Sequence, residues 1–382
     1  MNTLNFNLTE EQAMIKETIR DFAESEIAPV AMENDEKGVF PKELAKKMSE
    51  IGLLGLVIPE EYGGSGADMV SYAIAVEEVS RIDGAMGLTV AAHNSLCTFH
   101  IYMAGNEEQR KKYVVPLAQG DHIGAWGLTE PEAGSDAAAV KTTAHLDGNE
   151  WVINGTKTFI TNATVANTAV CVANTDKAKG HKGISSFIVE YGTPGFTIGK
   201  KEDKLGIRAS DTGELIFDNC RIPKENLLGE LNRGFYDVLK ILDGGRISIA
   251  AMALGLGQGA LDLSIKYSKE REQFGKPINR FQAIQWFLAD MATEIEVARL
   301  LTYKAAYLKD QGLTVNRESA MAKLYAAEAG MKACTNGIQV HGGYGYMREY
   351  DIQRHYRDIK LCEIGEGTSE IQRMIIARNL LK

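Results

Sequence analysis

The chemistry this chain could perform is concentrated in a few short segments, of which the most informative lies near its end. In IGEGTSEIQR, which begins at Ile364, Gly365 and Gly367 flank Glu366. Flanking glycines open backbone conformations closed to other residues and allow close approach of a ligand. Ser369 and Gln372 have the spacing of a capping box, which predicts a helix starting immediately after the bend. A carboxylate on such a bend, beside a helix N-terminus able to hold a phosphate, is a candidate proton acceptor. Taken alone, the segment suits a solvated glutamate before a capped helix equally well.

Three further segments offer binding chemistry. GLTEPEAGSD, from Gly127 to Asp136, sets turns with Pro131 and Gly134 and supplies hydroxyls from Thr129 and Ser135. It suits a ligand-lining loop or a plain connector. In YSKEREQFGKPINRFQAIQ, Arg271 closes a helical pattern before Gly275, Lys276 and Pro277 break the chain. Arg271 could hold a diphosphate bidentately, or pair with a neighbouring glutamate at the surface. HGGYGYMREY, from His341 to Tyr350, is a glycine and aromatic turn that admits a flat ring or simply joins two helices. GLGQGA matches G-x-G-x-x-A with Gly255, Gly257 and Ala260, but lies inside a helical pattern between Ile249 and Ile265. Without a preceding strand it reads as close helix packing rather than a dinucleotide site. The histidines form no HExxH-like pair, so no metal site is expected.

Three blocks must position these segments. From residue 1 to 120 the pattern is helical. Thr9 with Gln12 predicts a capped helix whose face of Ile15, Ile19, Phe22, Ala23 and Ile27 runs to a stop at Pro29. A second helix is expected from Pro41 to Gly52 with Leu44, Met48 and Ile51 inward, and a third from Met69 to Ile82. From 121 to 232, runs such as EWVINGTKTFIT, TAVCVANT and GELIFDNCRIP are rich in β-branched and aromatic residues, as antiparallel strands require. Asn154-Gly155 carries a hairpin signal. From 233 to 382, long helical patterns return at lengths suited to an antiparallel bundle. The expected class is α+β.

Composition narrows the function. Hydrophobic residues make up 45% and charged residues 24% of 382, an ordinary globular balance. The formal charge of −9, with no basic tract, argues against nucleic acid and anionic membrane surfaces. Five scattered cysteines suggest neither a disulfide framework nor a zinc site, and fit a reducing, cytoplasmic setting. The polar N-terminal stretch does not read as a signal peptide, and no membrane insertion is expected.

Six motifs in order, EEYGGSG, GLTEPEAGSD, NGTKTFITN, REQFGKPI, QVHGGYGY and GEGTSEIQR, together resemble the acyl-CoA dehydrogenase family over nearly the whole chain. The resemblance implies an N-terminal helical domain, a middle antiparallel β-barrel and a C-terminal four-helix bundle. It implies FAD as cofactor, an acyl-CoA substrate, a trans-2-enoyl-CoA product, electron-transferring flavoprotein as acceptor and a homotetramer. By the same resemblance, Trp126, Gly127, Leu128, Thr129 and Ser135 would line the isoalloxazine and pyrophosphate. Phe159, Ile160 and Thr161 would cover the flavin's other side. Arg271, Phe274 and Gln282, with Gln339, Gly342 and Gly343, would hold the diphosphate and adenine across a subunit contact, and Thr368 and Glu370 would touch the same cofactor. Ser135, Asp243, Arg246 and Gly367 would contact the acyl-CoA, with Arg378 near its nucleotide end.

Glu366 stands at the family's usual base position. Some members carry the base where this chain has Gly245, which cannot do that chemistry. The chain departs from many relatives in having Gly365 where they have tyrosine, and Phe159 where tryptophan is common. Relatives acting on glutaryl-CoA use an arginine near the position of Gly87, so a dicarboxylic substrate is disfavoured. Two other readings remain open here: an oxygen-using relative, either oxidase or monooxygenase, and a catalytically inactive binding subunit of the same fold.

Overall fold

The computed structural model describes residues 7–381. Helix α1 (Glu10–Phe22) begins with the expected capping box, Thr9 and Gln12 each satisfying the other's backbone N–H. The expected stop at Pro29 does not occur. A π-helical turn at Ala23–Ile27 widens the ladder just before the proline, and the helical backbone carries on through Pro29 into α2 (Ala28–Lys37). In α3 (Lys42–Glu50), Leu44 and Met48 are buried, but Ile51 is exposed because the helix ends one residue earlier. Helix α4 (Met69–Ile82) is capped by the Asp68 side chain and buried along almost its whole length. Asp83 caps α5 (Gly84–Ala92), and the shorter helices α6 (Phe99–Ala104), α7 (Glu107–Gln109) and α8 (Val115–Ala118) lead to the first strand.

The strands are β1 (Gly124–Gly127), β2 (Thr143–Asp147), β3 (Glu150–Thr161), β4 (Thr168–Asn174), β5 (Ile184–Glu190), β6 (Phe196–Lys201), β7 (Thr212–Pro223) and β8 (Leu227–Leu228). They form one sheet in the order β6-β7-β3-β2-β4-β5-β8, with β1 parallel to β4 and most other pairs antiparallel. Asn154-Gly155 makes no hairpin. It lies inside β3 at a register shift against β7, where only glycine fits, since a Cβ on Gly155 would stand 2.4 Å from Thr142 Oγ1. The tight turn falls instead at Gly148 and Asn149, between the paired residues Asp147 and Glu150.

The C-terminal block opens with the 37-residue helix α9 (Gly234–Glu270), followed by the small strands β9 (Glu272–Gln273) and β10 (Lys276–Pro277). Then come α10 (Gln282–Asp310), α11 (Asn316–His341), α12 (Ile352–Asp358), α13 (Lys360–Ile364) and α14 (Ser369–Leu380). By length and composition α9 could cross a membrane, yet most of its apolar window is buried inside the protein. GLGQGA is a packing surface, as the helical context suggested. A Cβ on Gly255 would come within 2.3 Å of Glu77 O, and one on Gly259 within 2.2 Å of Arg81 O, so α4 lies directly against α9. The two helical blocks therefore share one apolar core, running from Ile19 through Leu254 to Cys362, while the inner face of the sheet forms its own. Charged groups join all three blocks. Arg357 grips both Asp35 carboxylate oxygens, Asp358 accepts the backbone N–H of Ile207, and Arg354 reaches Asp83 and Ile82 O.

Candidate active site

Glu366 occupies the bend between α13 and α14. Its own φ is +52° and that of Gly367 is +94°, so two consecutive residues sit in the left-handed region. Gly365, at φ −65°, is extended and does not need to be glycine on backbone grounds. Only one of the two flanking glycines serves the bend. The last helix is capped by Thr368 rather than Ser369, its Oγ1 accepting the N–H of Ile371 at 3.4 Å. Gln372, expected to close a capping box, instead turns its amide back to Glu366 O at 3.2 Å and Gly367 O at 2.8 Å. Two strained carbonyls needed a donor more than the helix end did.

The bend presses the carboxylate onto α9. A Cβ built on Gly245 would lie 1.8 Å from Glu366 Oε2, so Gly245 is the seat of the carboxylate. Oε2 is buried without a hydrogen-bond partner. Burial drives the pKa up from 4.5 to about 7, against the pull of Arg246 and, more weakly, Lys323. A carboxyl with an idle, desolvated oxygen and a pKa near neutrality is what a general base requires.

Around it, Arg246 is buried and donates to Asp243 Oδ1 at 2.6 Å, while its Nε has no partner. Asp243 also accepts from Asn316 at 3.0 Å, and Asn316 accepts from Asn379 at 2.8 Å. One turn further along the same face of α9, Ser248 Oγ donates to Gly245 O and lies 3.4 Å from Ser95 Oγ. Buried Tyr72 bonds Ala91 O. Gly367 lies at this bend, whereas Arg378 and Glu370 are exposed on α14.

The second cluster of predicted residues is brought together by the sheet. Thr158 N–H donates to Thr129 O at 2.9 Å, which joins the segment Trp126 to Thr129 to the segment Phe159 to Thr161. A buried ion pair locks this joint: Lys157 Nζ lies 2.7 Å from Glu130 Oε1 and 3.2 Å from Leu128 O. Burial alone would raise the Glu130 carboxyl, but Lys157 and the N–H groups of Lys141 and Thr142 hold it below its usual range. Lys157→Met is expected to leave Glu130 buried and unpaired, at a cost of about 3–5 kcal/mol, read by chemical denaturation. Trp126 is fixed by its Nε1–H donating to His100 Nδ1 at 3.0 Å. Phe159 is 66% exposed with φ +58°. Its ring is held out on a strained backbone, as it would be for a flat partner. Ser135 is exposed on the neighbouring loop.

Arg271, Phe274, Gln339, Gly342 and Gly343 form a third group at the other end of α9. Arg271 lies over the Tyr344 ring at 5.4 Å, and Tyr267 stacks on His341 at 4.3 Å, so the REQFG and HGGYGY segments meet. Phe274 is 93% exposed at φ +53°, and Gln282, Gln339, Gly342 and Gly343 are also exposed. These groups face outward and do not converge on the Glu366 bend within one subunit. A polar pocket of about 450 Å³, lined by Arg20, Glu77, Arg81 and Arg299 among others, lies elsewhere and includes none of the predicted site residues. Among the described residues no His, Cys, Asp and Glu cluster could hold a metal, and all five cysteines are free and buried.

Glu366, Arg246 and Asp243, singled out in the sequence, lie together in space, and beside them is Lys323, which the sequence did not single out: its Nζ donates to Gly367 O at 2.7 Å from a fully buried position on α11. The sequence also suggested a different role for Gln372. A lysine among alanines on a long helix gives no local sign that it points inward.

Comparison with known proteins identifies the family. Three family models match consecutive stretches: acyl-CoA dehydrogenase N-terminal domain over 9–121, middle domain over 125–220 and C-terminal domain over 232–381. The chain is 51% identical to "Acyl-CoA dehydrogenase, short-chain specific" of Clostridium acetobutylicum, covering 99% of this chain and 100% of that protein. It superposes on butyryl-CoA dehydrogenase from Megasphaera elsdenii with a TM-score of 0.97 at 45% identity, covering 99% and 100% of the two chains. A chain in a structure described as "Electron transferring flavoprotein of Acidaminococcus fermentans: Towards a mechanism of flavin-based electron bifurcation" matches with a TM-score of 0.98 at 50% identity, covering 99% and 100%. The carboxylate seated on Gly245, the paired loops around Phe159 and the matches across all three blocks lead to one assignment: this chain is a member of the acyl-CoA dehydrogenase family.

Proposed function

We propose that the chain dehydrogenates a short acyl-CoA thioester to the trans-2-enoyl-CoA, with Glu366 removing the α-proton. The observation that carries this is the idle, buried Oε2 of Glu366, pinned over Gly245 and shifted to a pKa of about 7. FAD fits the residues present. The projecting Phe159 ring offers a stacking face, Thr129 and Thr161 offer hydroxyls beside it, and Arg271 with the Gly342-Gly343 turn suits a diphosphate. When bound, FAD supplies the acceptor for the β-hydride. Trp126 to Thr129, Ser135, Phe159 to Thr161, Thr368 and Glu370 would hold it, with Arg271, Phe274, Gln282, Gln339, Gly342 and Gly343 acting across a subunit contact of a homotetramer.

The protein's own work is positional and electrostatic. Asp243, Arg246, Ser135 and Gly367 orient the thioester, and Arg378 lies towards its nucleotide end. The Glu366 N–H donates to the thioester carbonyl as negative charge develops there; one such donor is worth about 3–4 kcal/mol. Closure of the apolar acyl chain over the carboxylate excludes water and keeps its proton affinity high. Because the base must be ionised, kcat/KM is expected to rise as pH passes through about 7 and level off above it. A profile already flat from pH 5 upward would contradict this. The linkage to stability has the opposite sign. The folded pKa of about 7 stands above the ordinary 4.5, so the stability due to this group is full below about 4.5 and is lost as pH rises through about 7.

Chain preference follows from Gly365. A Cβ there would meet Leu361 O at 3.4 Å and Leu361 Cδ1 at 3.6 Å, ordinary contact, so the space is open rather than forbidden and admits a branched or cyclic acyl group. Gly365→Tyr is expected to lower kcat/KM for isobutyryl-CoA at least ~10-fold more than for butyryl-CoA. Equal losses on both would remove Gly365 from that role. At Gly87 a Cβ would stand 1.9 Å from Ser80 Oγ. An arginine for a distal carboxylate would fit at that position only if Ser80 moved aside, which supports a monocarboxylic substrate. Electron-transferring flavoprotein is the proposed acceptor, supported by the likeness to the Acidaminococcus chain. Its reduction should outpace peroxide formation by the same holoenzyme, whereas dominant peroxide would favour an oxidase.

A further inference from the structure

Lys323 has no exposed surface, and an ammonium group is costly to bury unless it is well paired. Its Nζ donates to the backbone carbonyl of Gly367. That carbonyl already accepts from Gln372, which also holds Glu366 O. A neutral donor thus satisfies the bend's hydrogen bonding, and what Lys323 adds is a second anchor carrying a positive charge. Glu366 at φ +52° and Gly367 at φ +94° form a bend that persists only if its surroundings over-determine it.

We propose that Lys323 is a positioning residue for proton abstraction, clamping the bend that aims the Glu366 carboxylate over Gly245 while setting the field in which it ionises. The proposal rests on Glu366 being the base. The groups facing the carboxylate come from every neighbouring element. Arg246, paired with Asp243, comes from α9, Tyr72 from α4 and Cys362 from α13, while Glu363 of α13 and Glu370 of α14 act on Lys323 instead. Glu363 is paired with Lys360, and Arg246 shares its charge with Asp243. Burial holds Lys323 itself down to about 8, with Cys362 and Glu366 pulling the other way. It therefore keeps most of its charge at the pH where Glu366 ionises, opposing the burial that would otherwise carry the carboxyl higher. Lys323 also ties α11 to the α13–α14 bend, so the aim of the base depends on a helix distant in sequence.

The test uses three holoenzymes, Lys323→Met, Lys323→Gln and Gln372→Met, with butyryl-CoA as substrate and anaerobic flavin bleaching as the readout. Lys323→Met is expected to lower the bleaching rate about 100-fold, as misplacement of a catalytic group does. The KM for butyryl-CoA should stay within about threefold, and the acidic limb of the rate profile should move up by about one pH unit. Lys323→Gln keeps a donor and loses the charge, so it should show the limb shift with a smaller rate loss; it also serves if the methionine variant does not fold. Gln372→Met loosens the same carbonyl and should slow bleaching without moving the limb. An unmoved limb in both Lys323 variants, with only thermal stability lowered, would overturn the proposal. Undiminished bleaching by Glu366→Gln would overturn the reading beneath it, independently of these variants.

Discussion

Glu366→Gln is expected to bind FAD normally and to lose flavin reduction by substrate at least ~1,000-fold, within the range for removing a general base. The glutamine is nearly isosteric, so the bend, the Gln372 clamp on its carbonyls and the Lys323 anchor remain. The lone pair that Oε2 holds idle over Gly245 is replaced by an amide that cannot take a proton. Removing a buried carboxyl whose ionised form is disfavoured should leave stability unchanged or slightly improved at neutral pH. The informative result is therefore a coloured, folded, inactive protein. Bleaching by butyryl-CoA within ~10-fold of the native rate would take Glu366 out of the mechanism, because loss of the general base costs about 100-fold or more.

Gly245→Ala should have an effect of similar kind from a residue that does no chemistry. The added methyl would stand 1.8 Å from Oε2 and 2.8 Å from Glu366 Cδ, distances that no packing tolerates. Either the carboxylate swings off its seat or α9 shifts. The bend is clamped by Lys323 and Gln372, and α9 is locked against α4 at Gly255 and Gly259, so the carboxylate is the part most free to move. A displacement of about 1 Å in a reacting group costs ~100-fold. A loss of that size is expected in the bleaching rate, with FAD retained and the far-ultraviolet dichroism unchanged. Native rates in Gly245→Ala would mean that Glu366 does not rest on α9 in the working enzyme.

How far the sequence disclosed this arrangement varies with how local the determining physics was. The capping box at Thr9 and the helical period from Met69 to Ile82 depend on neighbours within one or two turns, and the glycine spacing of α9 is itself a local pattern even though the helix it packs on is distant in sequence, so each was legible. Asn154-Gly155 misled because the segment is paired on both sides within the sheet, to β2 and β7, and its glycine serves a register shift and a close approach to Thr142 rather than a turn. Pro29 misled because a π turn just before it lets the helical backbone continue through the proline. At the candidate site, the bend at Glu366 was legible from its flanking Gly367 and from the family pattern around it. The strained φ of Phe159 and Phe274 carries no signature in either residue type. Lys323 and Gln372 converge on one carbonyl from helices 49 residues apart in number, and only the packing of α11 against α14 brings them together.

The central claim, that Glu366 takes the α-proton, is tested most directly where hydride transfer cannot occur. With the flavin reduced beforehand, the holoenzyme has no acceptor for the β-hydride, so proton abstraction from bound butyryl-CoA can only reverse. In deuterium oxide that reversal exchanges the α-hydrogens, which nuclear magnetic resonance of the recovered thioester reads. The account predicts α-exchange catalysed by the native protein, with a rate that rises as pH passes about 7, and its disappearance in Glu366→Gln. Exchange at the native rate in the glutamine variant would contradict it.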